Sequence, residues 1–392
     1  MMLKRLWGLT GVACLVLVAC AASPSASALP TPLLTTPETV TPTPAQGAQI
    51  TPSTSATPTP TALVTLVVEP ENDADLFARL SQADAEANLP RSFRSTFRLR
   101  QRAALADTSA KSSLDIESAR LSSGDLRVTA IERTEEAGQI SLIAQEFVKL
   151  KNVVYYTIIT ETLSQREALC TQIFDSTVSE AVLANAPSAE RFGAIMLSDV
   201  FSFTLVARGV SVNNFRADQY DFLTELSEQS GDGTGLDYYS SGSVWFARDL
   251  WTVVRHEGRF KGMLRLLEDE NNKPLQGEFT WVYELTPPDN QPIVPPSACD
   301  LSKQWQVTEG ALLAIWSGDS AILSVRSTSE ALVAHYEKAL EERGWTKRYL
   351  EKNSSTLTSL VYDLEDKETV VMLQEDGQSD NVFVYIVTKN RE

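Results

Sequence analysis

The sequence predicts an α+β protein: a long antiparallel β-rich region followed by a small α+β sandwich at the C-terminal end. Three observations predict it. Short runs in which apolar and polar residues alternate follow one another from Ser92 to Leu285, the period of half-buried strands. Turn residues punctuate them, as at Ser123-Gly124 and Lys151-Asn152. Beyond Pro287-Pro288 and Pro295-Pro296 a new order begins: one strand, one helix, four strands.

The elements start with an address segment. Lys4 and Arg5 precede a mostly apolar run from Leu6 to Ala19. That run is shorter than the roughly 20 helical residues needed to cross a bilayer, and it has the proportions of a secretory signal. It ends Leu17-Val18-Ala19-Cys20, a pattern similar to a bacterial lipobox. Residues 1–19 therefore read as a lipoprotein signal peptide, and Cys20 as the acylated first residue of the mature chain. A thiol is the nucleophile that can take a diacylglycerol, and palmitate-type acylation would follow.

Residues 21–62 contain nine prolines, sixteen Ser or Thr and one charge, Glu38. Such a composition cannot bury a core and stays extended. At about 3.1 Å per residue it could reach on the order of 130 Å. Residues 20–62 thus read as a lipidated cysteine and a Thr/Pro tether. With Cys14 and Cys20 assigned to the signal and anchor, Cys170 and Cys299 remain. In an exported chain they are expected to form a disulfide, the alternative being two buried thiols.

Residues 63–300 form the expected main domain. Leu76, Phe77, Leu80, Ala83 and Ala87 have helical spacing within 72–89. Strands are expected at 92–102, 112–121, 124–133, 139–150 and 152–160, then at 202–212, 214–222 and 243–248. Residues 175–200 read as helix or loop. Leu250–His256 and Arg259–Leu267 read as two strands turning at Glu257-Gly258, with a last strand at 275–285.

Residues 301–392 read as a separate unit. Ala321–Arg326 is a strand. Ser327 and Glu330 have capping-box spacing. A helix to about Arg343 carries Leu332, Tyr336, Ala339 and Leu340 on one face, and Gly344 with Trp345 fits a left-handed C-terminal cap. Strands are expected near 346–352, 356–364, 369–375 and 381–388.

Composition excludes some functions. With 34 basic and 51 acidic side chains, the formal charge is −17. No basic footprint is available for nucleic acid. No nucleophile elbow, Walker loop, dinucleotide fingerprint or zinc motif occurs. His256 reads as a strand residue near a turn, and His335 as a surface or boundary residue on the C-terminal helix. The expectation is a protein without catalytic activity, metal or cofactor.

Pro90–Arg102, Gly209–Phe215 followed by Tyr220, Ser243–Asp249, and Val253-Val254-Arg255 resemble segments of the bacterial lipoprotein-carrier superfamily (LolA-like, LppX/LprG-like). The resemblance implies an unclosed antiparallel half-barrel with helices on its concave face. It also implies a space between sheet and helices for acyl chains or other apolar ligands. Candidate lining residues are Phe147, Tyr155, Ile158, Phe203 and Leu205; the alternative is that they fill a packed core. The expected partners are a membrane, through the lipid anchor, a lipid-like ligand and an envelope protein, with the chain held extracytoplasmically in the cell envelope. The competing reading is a structural or sensory interaction module on a stalk.

Overall fold

The computed structural model describes residues 89–104, 111–136, 138–162, 165–197, 200, 202–228, 236–268, 274–289, 291–352, 354 and 356–391. The signal segment, Cys20, the tether and all but the end of the helix expected over 72–89 lie outside the described residues.

The strands come in short hairpins. β1 to β6 are Phe93–Ala104, Lys111–Arg120, Leu126–Glu136, Gln139–Leu150, Val153–Glu161 and Arg166–Ile173. Two helices follow, α1 (Ser176–Ala184) and α2 (Ala189–Leu197). β7 to β11 are Phe203–Val212, Phe215–Glu228, Leu236–Ala247, Thr252–Glu268 and Pro274–Thr286. A 3-10 turn at Leu301–Gln306 leads to β12 (Ala311–Ser317) and β13 (Ser320–Arg326). Helix α3 (Ser329–Glu341) and β14 to β17 (Thr346–Lys352, Leu357–Leu364, Lys367–Glu375, Asn381–Asn390) complete the chain.

Turn chemistry sets the registers. Asn213 and Asn214 both have positive φ, at 52° and 68°. They join Val212 to its ladder partner Phe215, the two-residue loop whose twist matches the flanking strands. Among the described residues every strand pairing is antiparallel, and the strands chain into one sheet in the order β7-β8-β9-β10-β11-β1-β2-β3-β4-β5-β6-β12-β13-β17-β16-β15-β14. The sheet is not closed: among the described residues β7 and β14 are its edges. The protein is α+β, mostly antiparallel sheet, and compatible with a partly open half-barrel.

Two differences from the sequence reading concern a turn and a helix cap. β10 runs straight through Glu257-Gly258, so no turn divides it. Gly258 serves close packing: a Cβ there would stand 2.6 Å from the Trp281 indole and 2.6 Å from the Ser241 carbonyl oxygen. Helix α3 is capped one residue later than the spacing suggested, by Thr328, whose hydroxyl accepts from the Ala331 N–H at 3.3 Å. Its other end agrees. Gly344 has φ +84°, and the Trp345 N–H donates to the Leu340 carbonyl, closing the left-handed cap.

β6 and β12 were not anticipated, and they pair with each other from Leu169↔Ser317 to Ile173↔Leu313. This ladder crosses the boundary expected near residue 300. The Cys170–Cys299 disulfide spans the same seam, with Cα atoms 5.3 Å apart. Both cysteines are buried in a cluster with Val148, Trp316, Leu323, Tyr336 and Leu360, beneath α3.

Candidate functional site

The sheet has two differently covered faces, and alternation assigns each residue to one of them. Helix α2 packs on β1, β2 and β11. On that α2 face, register aligns side chains from strand to strand. One row runs Leu205, Tyr220, Val244, His256, Tyr283, Phe97, Ile116, Ala130, Gln145 and Ile158. The next runs Phe203, Phe222, Gly242, Gly258, Trp281, Leu99 and Leu114. On the other side of the first row, Ser95, Ser118, Val128, Phe147 and Tyr156 align.

Four of the five candidate lining residues therefore share one face: Phe147, Ile158, Phe203 and Leu205. Phe147 is buried and stacks on Tyr156 with ring centroids 4.5 Å apart. Phe203 is half-buried against Phe222 at 6.0 Å, and Phe222 faces Trp281 at 6.3 Å. Ile158 and Leu205 are half-buried in the same row. Tyr155 is different. It pairs with Val148 on the opposite face and is buried in the cluster beneath α3. The unbroken apolar run of β5 concealed that split, because both of its faces are covered.

Helix α2 is fastened by the sheet itself. Ser95 and Ser118 are cross-strand partners. The Ser118 hydroxyl accepts from the Ala189 N–H at 3.1 Å, and the Ser95 hydroxyl donates to the buried Glu190 carboxylate. These bonds satisfy groups at the first turn of the helix, where N–H donors lack partners and a carboxylate suits the dipole. Phe192 reaches Phe97 at 5.7 Å. Gly193 lets the helix settle: a Cβ there would lie 2.8 Å from His256 Nε2.

Sequence reasoning did not foresee the polar pair beneath α2. The Trp281 indole N–H donates to His256 Nδ1 at 2.9 Å. His256 also stacks on Tyr283 at 5.0 Å. Burial pushes the His256 pKa down to about 3, so its ring is neutral in ordinary conditions. Burial, reinforced by Glu190, raises the Tyr283 hydroxyl well above its usual value. Neither group changes charge near neutrality, which suits a fixed wall better than proton transfer. The only sequence signal was the alternation Phe279, Trp281, Tyr283; their partners on β10 depend on register.

A further row holds Gln101, Phe279, Phe260, Ser240 and Thr224. The Thr224 hydroxyl is buried there without a hydrogen-bond partner, an arrangement that calls for an explanation in a folded protein. Among the described residues no group of three or more His, Cys, Asp or Glu is placed to hold a metal ion.

No family model matches the chain, and no curated protein matches it. Among solved structures, the crystal structure of LprF from Mycobacterium bovis is similar over 57% of this chain and 97% of that one. Its TM-score is 0.27 and its identity 10%, a distant likeness.

Proposed function

We propose that the chain is an envelope lipoprotein, anchored through acylated Cys20 and its tether, that binds a lipid-like or other apolar ligand on the α2 face without catalysing a reaction. The observation that carries this reading is the extent of the aromatic rows. They continue across β10, β9 and β8, beyond β1, β2 and β11 on which α2 chiefly packs, and include Phe260 on β10 and Tyr220 and Phe222 on β8. Apolar walls with a few fixed polar groups suit such ligands, and the unpartnered Thr224 hydroxyl supplies one of them.

The test is a saturable titration of a fluorescent fatty-acyl probe against wild type and the L205D/F203D double variant. Both residues lie on edge strand β7 and are half-buried, so the fold should tolerate the change. Weakened binding in the variant is the expected result. Equal affinity would remove the α2 face from consideration.

A second reading, a protein-interaction module on a stalk, draws on a different observation. Ile322 and Val387 are 45% and 38% exposed on the face of β13 and β17 opposite α3, and exposed apolar groups mark contact surfaces when contiguous.

A further inference from the structure

The β7–β8 hairpin carries an irregularity that gathers positive charge in an otherwise acidic chain. Its register shifts twice, between Leu205 and Ala207 and between Ala207 and Val210. Gly209 sits in the second shift with φ +63°, in the left-handed region. Its N–H donates to Asp218 Oδ1 at 2.9 Å. Bulges of this kind re-aim neighbouring side chains.

Three guanidinium groups meet at this point. Arg248 Nε donates to Asp218 Oδ2 at 2.6 Å, and Arg208 Nη1 stands 3.6 Å from the same oxygen. Arg216 reaches over the glycine from β8, with Nε 2.8 Å from where a Gly209 Cβ would be. Asp218 is the carboxylate that Arg208 and Arg248 share, and its side chain is 9% exposed. Asp249, next in the chain to Arg248, lies exposed in the following turn. Arg208 and Arg216 are exposed and, among the described residues, neither guanidinium donates a hydrogen bond. A guanidinium carries five N–H donors in a fork that matches oxyanions.

The cluster touches the apolar wall. Arg248 Nη2 donates to the Tyr220 hydroxyl at 3.1 Å, and Tyr220 is fully buried between Leu205 and Val244 on the α2 face. We infer that Arg208, Arg216 and Arg248 form an oxyanion site of the phosphate class at the end of the α2 face, holding the charged head of an amphiphile whose apolar part lies along the aromatic rows. Asp218 acts as the positioning residue that draws Arg208 and Arg248 together. The placement of the apolar part rests on the function proposed above; the oxyanion site stands on its own geometry.

The experiment is calorimetric titration of inorganic phosphate into the full chain and into R208A/R216A, whose replaced side chains are exposed. Phosphate should bind roughly tenfold or more weakly in the variant, as expected on losing charge-assisted bonds. Vesicles of phosphatidylglycerol and of phosphatidylcholine, offered in parallel, separate the sources. A preference for phosphatidylglycerol that the variant loses assigns the site to a lipid headgroup. Phosphate binding lost in the variant without any lipid preference assigns it to a free anion. Phosphate affinity that is absent, or equal in the two proteins, overturns the site, even where the acyl probe still binds. Loss of acyl-probe binding in L205D/F203D concerns the apolar wall alone and leaves the anion titration to decide the arginine site.

Discussion

The indole N–H of Trp281 donates to Nδ1 of His256 at 2.9 Å, diagonally across the β10–β11 ladder. That bond leaves the imidazole proton on Nε2 and fixes the ring as a neutral acceptor. It also holds the indole over Gly258, where the space exists only because that residue lacks a Cβ.

Acid should therefore destabilise the fold through His256. In the unfolded chain this side chain takes a proton below its ordinary value of 6.5, whereas in the fold burial holds it down to about 3. Between those values the unfolded state binds the extra proton, so stability falls as pH falls, by about 1.4 kcal/mol per unit for one such group. Urea midpoints measured across this window should show a steeper decline for wild type than for His256→Gln. Parallel curves would remove His256 from the acid response.

Gly258→Ala should destabilise the protein by about 1–3 kcal/mol, the usual cost of overpacking. The new methyl would meet both the Trp281 ring and the Ser241 carbonyl oxygen at 2.6 Å. Denaturant unfolding measures it, and a cost near zero would show that the indole is free to move aside.

Ser118→Ala removes the acceptor for the Ala189 N–H at the buried start of α2. A loss of about 1–2 kcal/mol is expected, as for a helix cap whose donor is left unmatched. Amide exchange should quicken over 189–193 more than over α3. Uniform quickening throughout the sheet would mean that α2 is not held locally.

The disulfide should contribute substantially. It links residues 129 apart in sequence, for which the chain-entropy model gives roughly 5 kcal/mol. The C170A/C299A variant should show a correspondingly lower denaturant midpoint than the oxidised protein. Equal midpoints would mean that the β6–β12 ladder alone secures the seam.

Much of the sheet was legible because its strands alternate cleanly and its turns use Asn, Gly and paired polar residues. Gln139–Leu150 was expected with its observed bounds, and the strand expected over 202–212 ends at Val212. The failures have physical causes. Arg166–Ile173 opens with three exposed residues and closes with four buried ones, so no single period runs through it. Missing that strand and its partner β12 hid the ladder crossing residue 300, while the prolines at 287–296 suggested a break. Glu257-Gly258 has turn composition, yet its glycine answers to an indole on the next strand, which local sequence does not reveal. Four candidate lining residues fell on one face because alternation fixes side; Tyr155 fell on the other because β5 is covered on both. The His256–Trp281 bond and the arginines around Gly209 depend on register and on a bulge, neither of which is written in residue spacing.

Whether the α2 face holds an apolar ligand is tested most directly by native mass spectrometry. The full chain would be expressed in an exporting bacterial host, released in mild detergent, and weighed before and after extraction with organic solvent. The expected result is a non-covalent lipid mass that leaves on extraction, over and above any mass that stays covalently attached at Cys20. A protein carrying no extractable mass, and acquiring none after incubation with mixed bacterial lipids, would contradict ligand binding on this face.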